Sequence, residues 1–209
     1  MKNRSRFHRL RSLVACLAPL AASLYAAETP VAPLDGGTNS STFETSNEQS
    51  LPALGWSNVS GAARVFDLAT NGALVGTTPY DNYEVQHATS TAVAANTHYR
   101  VRVKMGFFAG LGGATAGYRL ELGTVNGGVF SQIGTTTGSV SYAGYIGSGT
   151  FSGNAVLDVN TGATVSGDAL AVRWAQTSTT GAGTSDFFGI DEPNPKWSLH
   201  SLFGNPQVT

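Results

Sequence analysis

The stretch Ala94-Ala95-Asn96-Thr97-His98-Tyr99-Arg100-Val101-Arg102-Val103-Lys104-Met105 decides the fold class. Tyr99, Val101, Val103 and Met105 alternate with Arg100, Arg102 and Lys104. Successive side chains of a β-strand point to opposite faces, so one face is apolar and the other carries three cations. A helix would scatter the same residues around its cylinder. The pattern therefore predicts a half-buried antiparallel strand, and Tyr and Val favour that state.

The same rule recurs outward from it. Tyr118-Arg119-Leu120-Glu121-Leu122 points Tyr118, Leu120 and Leu122 inward, and Ala169 to Ala175 sets Leu170, Val172 and Trp174 against Arg173. Ala62 to Leu68, Ala155 to Val159 and Asp186 to Asp191 are further strand candidates, the last of them the expected final strand. Asn71-Gly72 and Asn126-Gly127-Gly128 are hairpin turns, the second leading into Val129 to Ile133. Gly134 to Gly149 and Ser178 to Ser185 read as loops. Outside the first 27 residues no stretch keeps a helical period over about ten residues. Short strands at roughly ten-residue spacing, with no fixed repeat, predict an all-β antiparallel sandwich of jelly-roll type rather than a solenoid.

Residues 1–12 carry Lys2, Arg4, Arg6, Arg9 and Arg11 with no acid, and an apolar run from Leu13 to Ala22 follows. That is the layout of a secretory leader, expected over residues 1–27 with cleavage after Ser23, Ala26 or Ala27. The run is shorter than the roughly 20 apolar residues a bilayer span needs. Cys16 lies within the run rather than after it, unlike a lipoprotein cysteine. Residues 28–41, rich in Pro, Gly and Ser, read as a flexible lead-in, 42–191 as the sandwich and 192–209 as an irregular tail.

Without the leader, 7 of the 12 basic residues remain against all 13 acidic ones, so the net charge is 7 − 13 = −6 rather than −1. Such a domain has no net electrostatic attraction for nucleic acid or an anionic membrane. Cys16 is the only cysteine, so no disulfide is available beyond the leader, and stability must come from a core.

Phe43-Glu44, Trp56 after Gly55, Ala95 to Val101, Gly117 to Leu122, Gly167 to Arg173 and Phe187-Phe188-Gly189-Ile190-Asp191 stand in a telling order. In that order they resemble the galactose-binding-like jelly roll of bacterial carbohydrate-binding modules. The pattern is similar to the versions in secreted proteins with a PEP-CTERM sorting tail. Two departures stand out: Glu192-Pro193-Asn194-Pro195 cannot prolong a central strand, because proline lacks the donor N–H, and the sorting tail is missing after it. The resemblance implies a structural calcium held by Glu44 and Asp191, with backbone carbonyls completing the oxygen shell.

A sugar site needs an aromatic platform beside hydrogen-bonding groups. The candidates near loops are Trp56, Tyr80, Tyr83, Tyr142, Tyr145 and Trp197, whereas Tyr99, Tyr118 and Trp174 are expected in the core. Asp81, Glu84 and His87 do not form an acid/base set: strand parity separates Glu84, and Asp81 lies about 20 Å from His87. The sequence contains no nucleophile elbow, phosphate loop, zinc-protease motif or cysteine cluster. Arg100, Arg102, Lys104, Arg119 and Arg173 share an outward parity, either as solubilising charge or as one basic strip for an acidic glycan or protein. The resulting expectation is a secreted, extracellular or periplasmic, non-enzymatic module engaging extracellular glycan or matrix polysaccharide. The alternative is an envelope or matrix structural, adhesive protein without a small-molecule site.

Overall fold

The computed structural model describes residues 29–33, 51–67, 72–78, 81–107, 113–142, 150–181, 187–190 and 198–203. Among these residues twelve strands are formed: β1 Thr29–Pro33, β2 Trp56–Ser60, β3 Ala63–Asp67, β4 Gly72–Gly76, β5 Tyr83–Ala92, β6 Thr97–Phe107, β7 Ala114–Asn126, β8 Val129–Tyr142, β9 Thr150–Asn160, β10 Ala169–Thr180, β11 Phe188–Ile190 and β12 Ser198–Phe203. A 3-10 turn, Leu51–Leu54, precedes β2. The strands form two antiparallel sheets packed as a β-sandwich of jelly-roll type. One sheet runs β1-β12-β6-β11-β4-β3 with β9 on the other side of β6, and the second runs β2-β5-β10-β7-β8.

The opening stretch holds the position its alternation implied. Tyr99, Val101, Val103 and Met105 are buried while Arg102 is exposed. β6 is the hub of its sheet, bonded to β9 along one side and to β12 and β11 in succession along the other. Leu120, Leu122, Leu170, Val172 and Trp174 from the second sheet close the core against it. Asn96 turns the chain into β6 with φ 50°, a left-handed conformation that Asn tolerates better than most residues.

Several sequence-based boundaries change. Gly134 to Tyr142 is strand, not loop: its threonines suit a pleated surface, and its glycines make room for large neighbours. A Cβ on Gly138 would lie 2.6 Å from the Tyr118 hydroxyl, and Tyr118 stacks on Trp174 with ring centroids 5.4 Å apart. β10 runs on to Thr180, into the second expected loop.

The lead-in contributes β1 and the tail contributes β12, which pairs with β6 and so replaces Phe188–Ile190 as the last strand. The prolines of β1 are tolerated because that strand is an edge. The sandwich therefore extends beyond 42–191 at both ends.

Candidate functional site

Two of the aromatic side chains expected at a ligand belong to the interior. Trp56 is 2% exposed and meets the His87 ring edge-on at 5.3 Å. Tyr83 is 1% exposed, and its hydroxyl lies 3.2 Å from the Phe188 carbonyl and 3.3 Å from the Trp174 indole nitrogen, whose N–H it accepts. Burial raises the Tyr83 pKa far above the ordinary phenol range. Neither ring is free to stack on a sugar. The reason is parity: β5 sends Tyr83, Val85 and His87 inward together, and Trp56 opens β2 opposite His87.

Tyr142 is the last residue of β8. Tyr80, Tyr145, Trp197 and the two expected calcium ligands, Glu44 and Asp191, lie outside the described residues. Among the described residues no group of three or more His, Cys, Asp or Glu side chains comes together to hold a metal.

The chemistry gathers instead on the outer face of the five-stranded sheet. Register lays its side chains in two rows across four strands. One row is Glu84, Ala175, Arg119 and Thr137, and the next is Gln86, Arg173, Glu121 and Thr135. Ala175 is short enough for the Glu84 and Arg119 side chains to meet across β10, with Nη2 to Oε2 at 3.0 Å. The other oxygen of Glu84 lies 3.3 Å from Arg173 Nη1, so one carboxylate bridges two guanidinium groups. Arg119 Nε is 3.2 Å from Glu121 Oε2, close enough for attraction though outside hydrogen-bonding geometry. Arg173 Nε donates to Gln86 Oε1 at 2.8 Å.

A half-buried aromatic ring borders these rows. The Arg173 guanidinium sits 3.9 Å from the centroid of the Phe130 ring, a cation–π contact. Phe130 can reach over β7 because Gly123 leaves room for it: a Cβ there would lie 2.5 Å from the ring. At the other end, Ser60, Asn82, Glu84, Arg119, Ala175 and Thr177 line a polar depression of about 250 Å³. A second depression, of about 200 Å³, lies between Val93, Thr124, Ile133 and Thr161.

Glu84 and Glu121 balance Arg119 and Arg173, so these four charges sum to zero. The five outward cations do not form one strip. Arg100, Arg102 and Lys104 belong to β6 of one sheet, whereas Arg119 and Arg173 belong to β7 and β10 of the other. Arg100 is engaged separately, with Nε 2.8 Å from Asp158 Oδ1. Sequence parity found Arg119 and Arg173. It missed Phe130, Glu84 and Gln86 as their neighbours: the β7–β8 hairpin is local, but only strand order sets β10 between β5 and β7.

No protein-family model matches the chain, and no curated protein matches it. Among solved structures it is similar to the CBM22-1 xylan-binding domain of Paenibacillus barcinonensis Xyn10C. That match has 14% identity and a TM-score of 0.42, covering 73% of this chain and 88% of that one. It is also similar to the Stig cyclase Fisc from Fischerella sp. TAU, at 14% identity and TM-score 0.45, over 84% of this chain and 98% of that one. TmCBM61, solved with β-1,4-galactotriose, gives 14% identity and TM-score 0.38, over 79% and 97%. Several of the solved structures that it is similar to are carbohydrate-binding modules.

Proposed function

We propose that this protein is a secreted, non-enzymatic module that binds an uncharged extracellular polysaccharide on the outer face of its five-stranded sheet. The observation that carries the reading is the Phe130 ring held over Gly123 by Arg173, beside the polar rows of Glu84, Gln86, Arg119 and Glu121. A pyranose presents C–H faces and hydroxyl edges, so it asks for a ring and fixed hydrogen-bonding groups together. Charges already paired within the face favour a neutral ligand over an anionic one, since a polyanion would have to compete with Glu84 for both arginines. Secretion rests on the leader pattern of residues 1–27, and calcium between Glu44 and Asp191 rests on the family resemblance alone.

A glycan array probed with the full chain tests this reading. The expected result is retention of neutral polysaccharides, lost in Phe130→Ala while the fold persists by circular dichroism. No neutral glycan retained, or undiminished binding by Phe130→Ala, would overturn it.

A further inference from the structure

Every sheet edge exposes backbone N–H and C=O groups that can accept another strand, and proteins blunt such edges with charge, proline, bulges or short length. Among the described residues, four of the five edge strands are blunted in one of these ways. β1 contains Pro30 and Pro33, β3 contains Arg64 and Asp67, and β9 contains Asp158. β2 is only five residues long, with its register broken between Asn58 and Ser60.

β8 differs. It has 14 residues, Val129–Tyr142, without a charge or a proline, and it stands at the end of its sheet with β7 as its one partner among the described strands. A single register shift near Ile133 leaves Gly134 to Tyr142 as an unbroken run opposite Ala114 to Leu122. Thr135, Thr137, Gly138, Ser139 and Ser141 within it are exposed.

We infer that the free edge of β8 is a self-pairing surface, where a second copy of this chain adds its own β8 antiparallel across a two-fold axis. The occupant follows from the sequence of the run. Within Gly134-Thr135-Thr136-Thr137-Gly138-Ser139-Val140-Ser141-Tyr142 the outward positions are symmetric in kind about Gly138, with Thr135 and Thr137 on one side and Ser139 and Ser141 on the other. Centred on Gly138, the antiparallel pairing sets Thr135 against Ser141 and Thr137 against Ser139 on the outer face, with Gly138 against itself. Hydroxyl pairs of this kind stabilise cross-strand neighbours, and the strand already makes one within the chain, between Thr115 Oγ1 and Ser141 Oγ at 2.8 Å. No like charges oppose the approach, and an isologous contact uses one patch twice and closes at a dimer. The two five-stranded sheets become one continuous sheet, with the polar rows of both copies on it.

Sedimentation equilibrium of the full chain tests this, with Thr137→Glu/Ser139→Glu as the variant. Both new carboxylates face outward, and the one replacing Thr137 lies opposite Arg119 of the neighbouring β7, so the monomer keeps its fold. Across the two-fold the glutamates oppose each other. The expected result is a concentration-dependent dimer of the 21.6 kDa chain, with a dissociation constant raised at least about tenfold in the double variant. Asn154→Glu on the β9 edge should leave the dimer intact. A monomer at every concentration up to roughly 0.5 mM, an unchanged dimer in the double variant, or equal weakening by Asn154→Glu would overturn the assignment.

Discussion

The Trp174 indole N–H donates to the Tyr83 hydroxyl at 3.3 Å inside the core, and the same hydroxyl reaches the backbone of Leu74 and Phe188 in the opposite sheet. Tyr83 and Trp174 belong to β5 and β10 of one sheet, whereas Leu74 and Phe188 belong to β4 and β11 of the other. One phenol therefore ties the two layers together with polar bonds where packing alone would set no unique alignment.

Tyr83→Phe keeps the ring and removes only the oxygen, leaving the buried Trp174 N–H without its acceptor. An unsatisfied buried donor costs about 1–3 kcal/mol, so urea unfolding should show a stability lowered by that amount at unchanged slope. An unaltered midpoint would show that the hydroxyl contributes nothing net.

His87 is 7% exposed, and burial lowers its pKa from 6.5 to about 4. The unfolded chain then binds a proton that the folded chain refuses between those two values. Stability from this group is complete above pH 6.5 and falls as the pH drops toward 4, by roughly 3 kcal/mol in all. His87→Leu should flatten the fall over that window relative to the natural chain. Parallel stability profiles for the two proteins would contradict the buried neutral imidazole.

Gly138 leaves room for Tyr118 to lie against Trp174 at an interplanar angle of 10°. Gly138→Ala puts a methyl against two carbons of the Tyr118 ring and its hydroxyl, and overpacking of this kind costs about 1–3 kcal/mol. Near-ultraviolet circular dichroism should register the loss of the stacked pair. A spectrum and stability matching the natural chain would mean that Tyr118 moves aside freely.

Glu84 bridges Arg119 and Arg173 with only 14% of its side chain exposed. Glu84→Gln changes the sum of the face from zero to +1 and leaves both guanidinium groups less engaged. The variant should gain salt-sensitive retention on an anionic polysaccharide column that the natural chain passes through. Equal elution of the two would show that pairing at Glu84 does not set the charge selectivity of the face.

The sequence by itself determined the fold class and the assignment of side chains to core or surface within the strongly alternating strands. Tyr99 to Met105, Tyr118 to Leu122 and Leu170 to Trp174 lie as their parity required, because a strand has only two faces and one of them must leave water. Hairpin pairing was as legible: β7 and β8 pair around Asn126-Gly127-Gly128, and β3 pairs with β4, which begins at Gly72. The sequence misjudged Gly134 to Tyr142, whose glycines serve packing against Tyr118 and Val159 rather than looping. It also misjudged the two ends, where β1 and β12 are held by pairing partners distant in sequence.

Only the tertiary structure decided which outward residues become neighbours. Glu84, Arg119 and Arg173 come from three strands far apart in sequence, and no local period records that β10 lies between β5 and β7, which brings Phe130 of the β7–β8 hairpin beside Arg173. The same strand order parted Arg100 and Arg102 from Arg119 and Arg173, which share a parity but belong to opposite sheets. Alternation is a property of one strand and can be read locally. Adjacency is a property of strand order, which depends on how the whole chain closes its core.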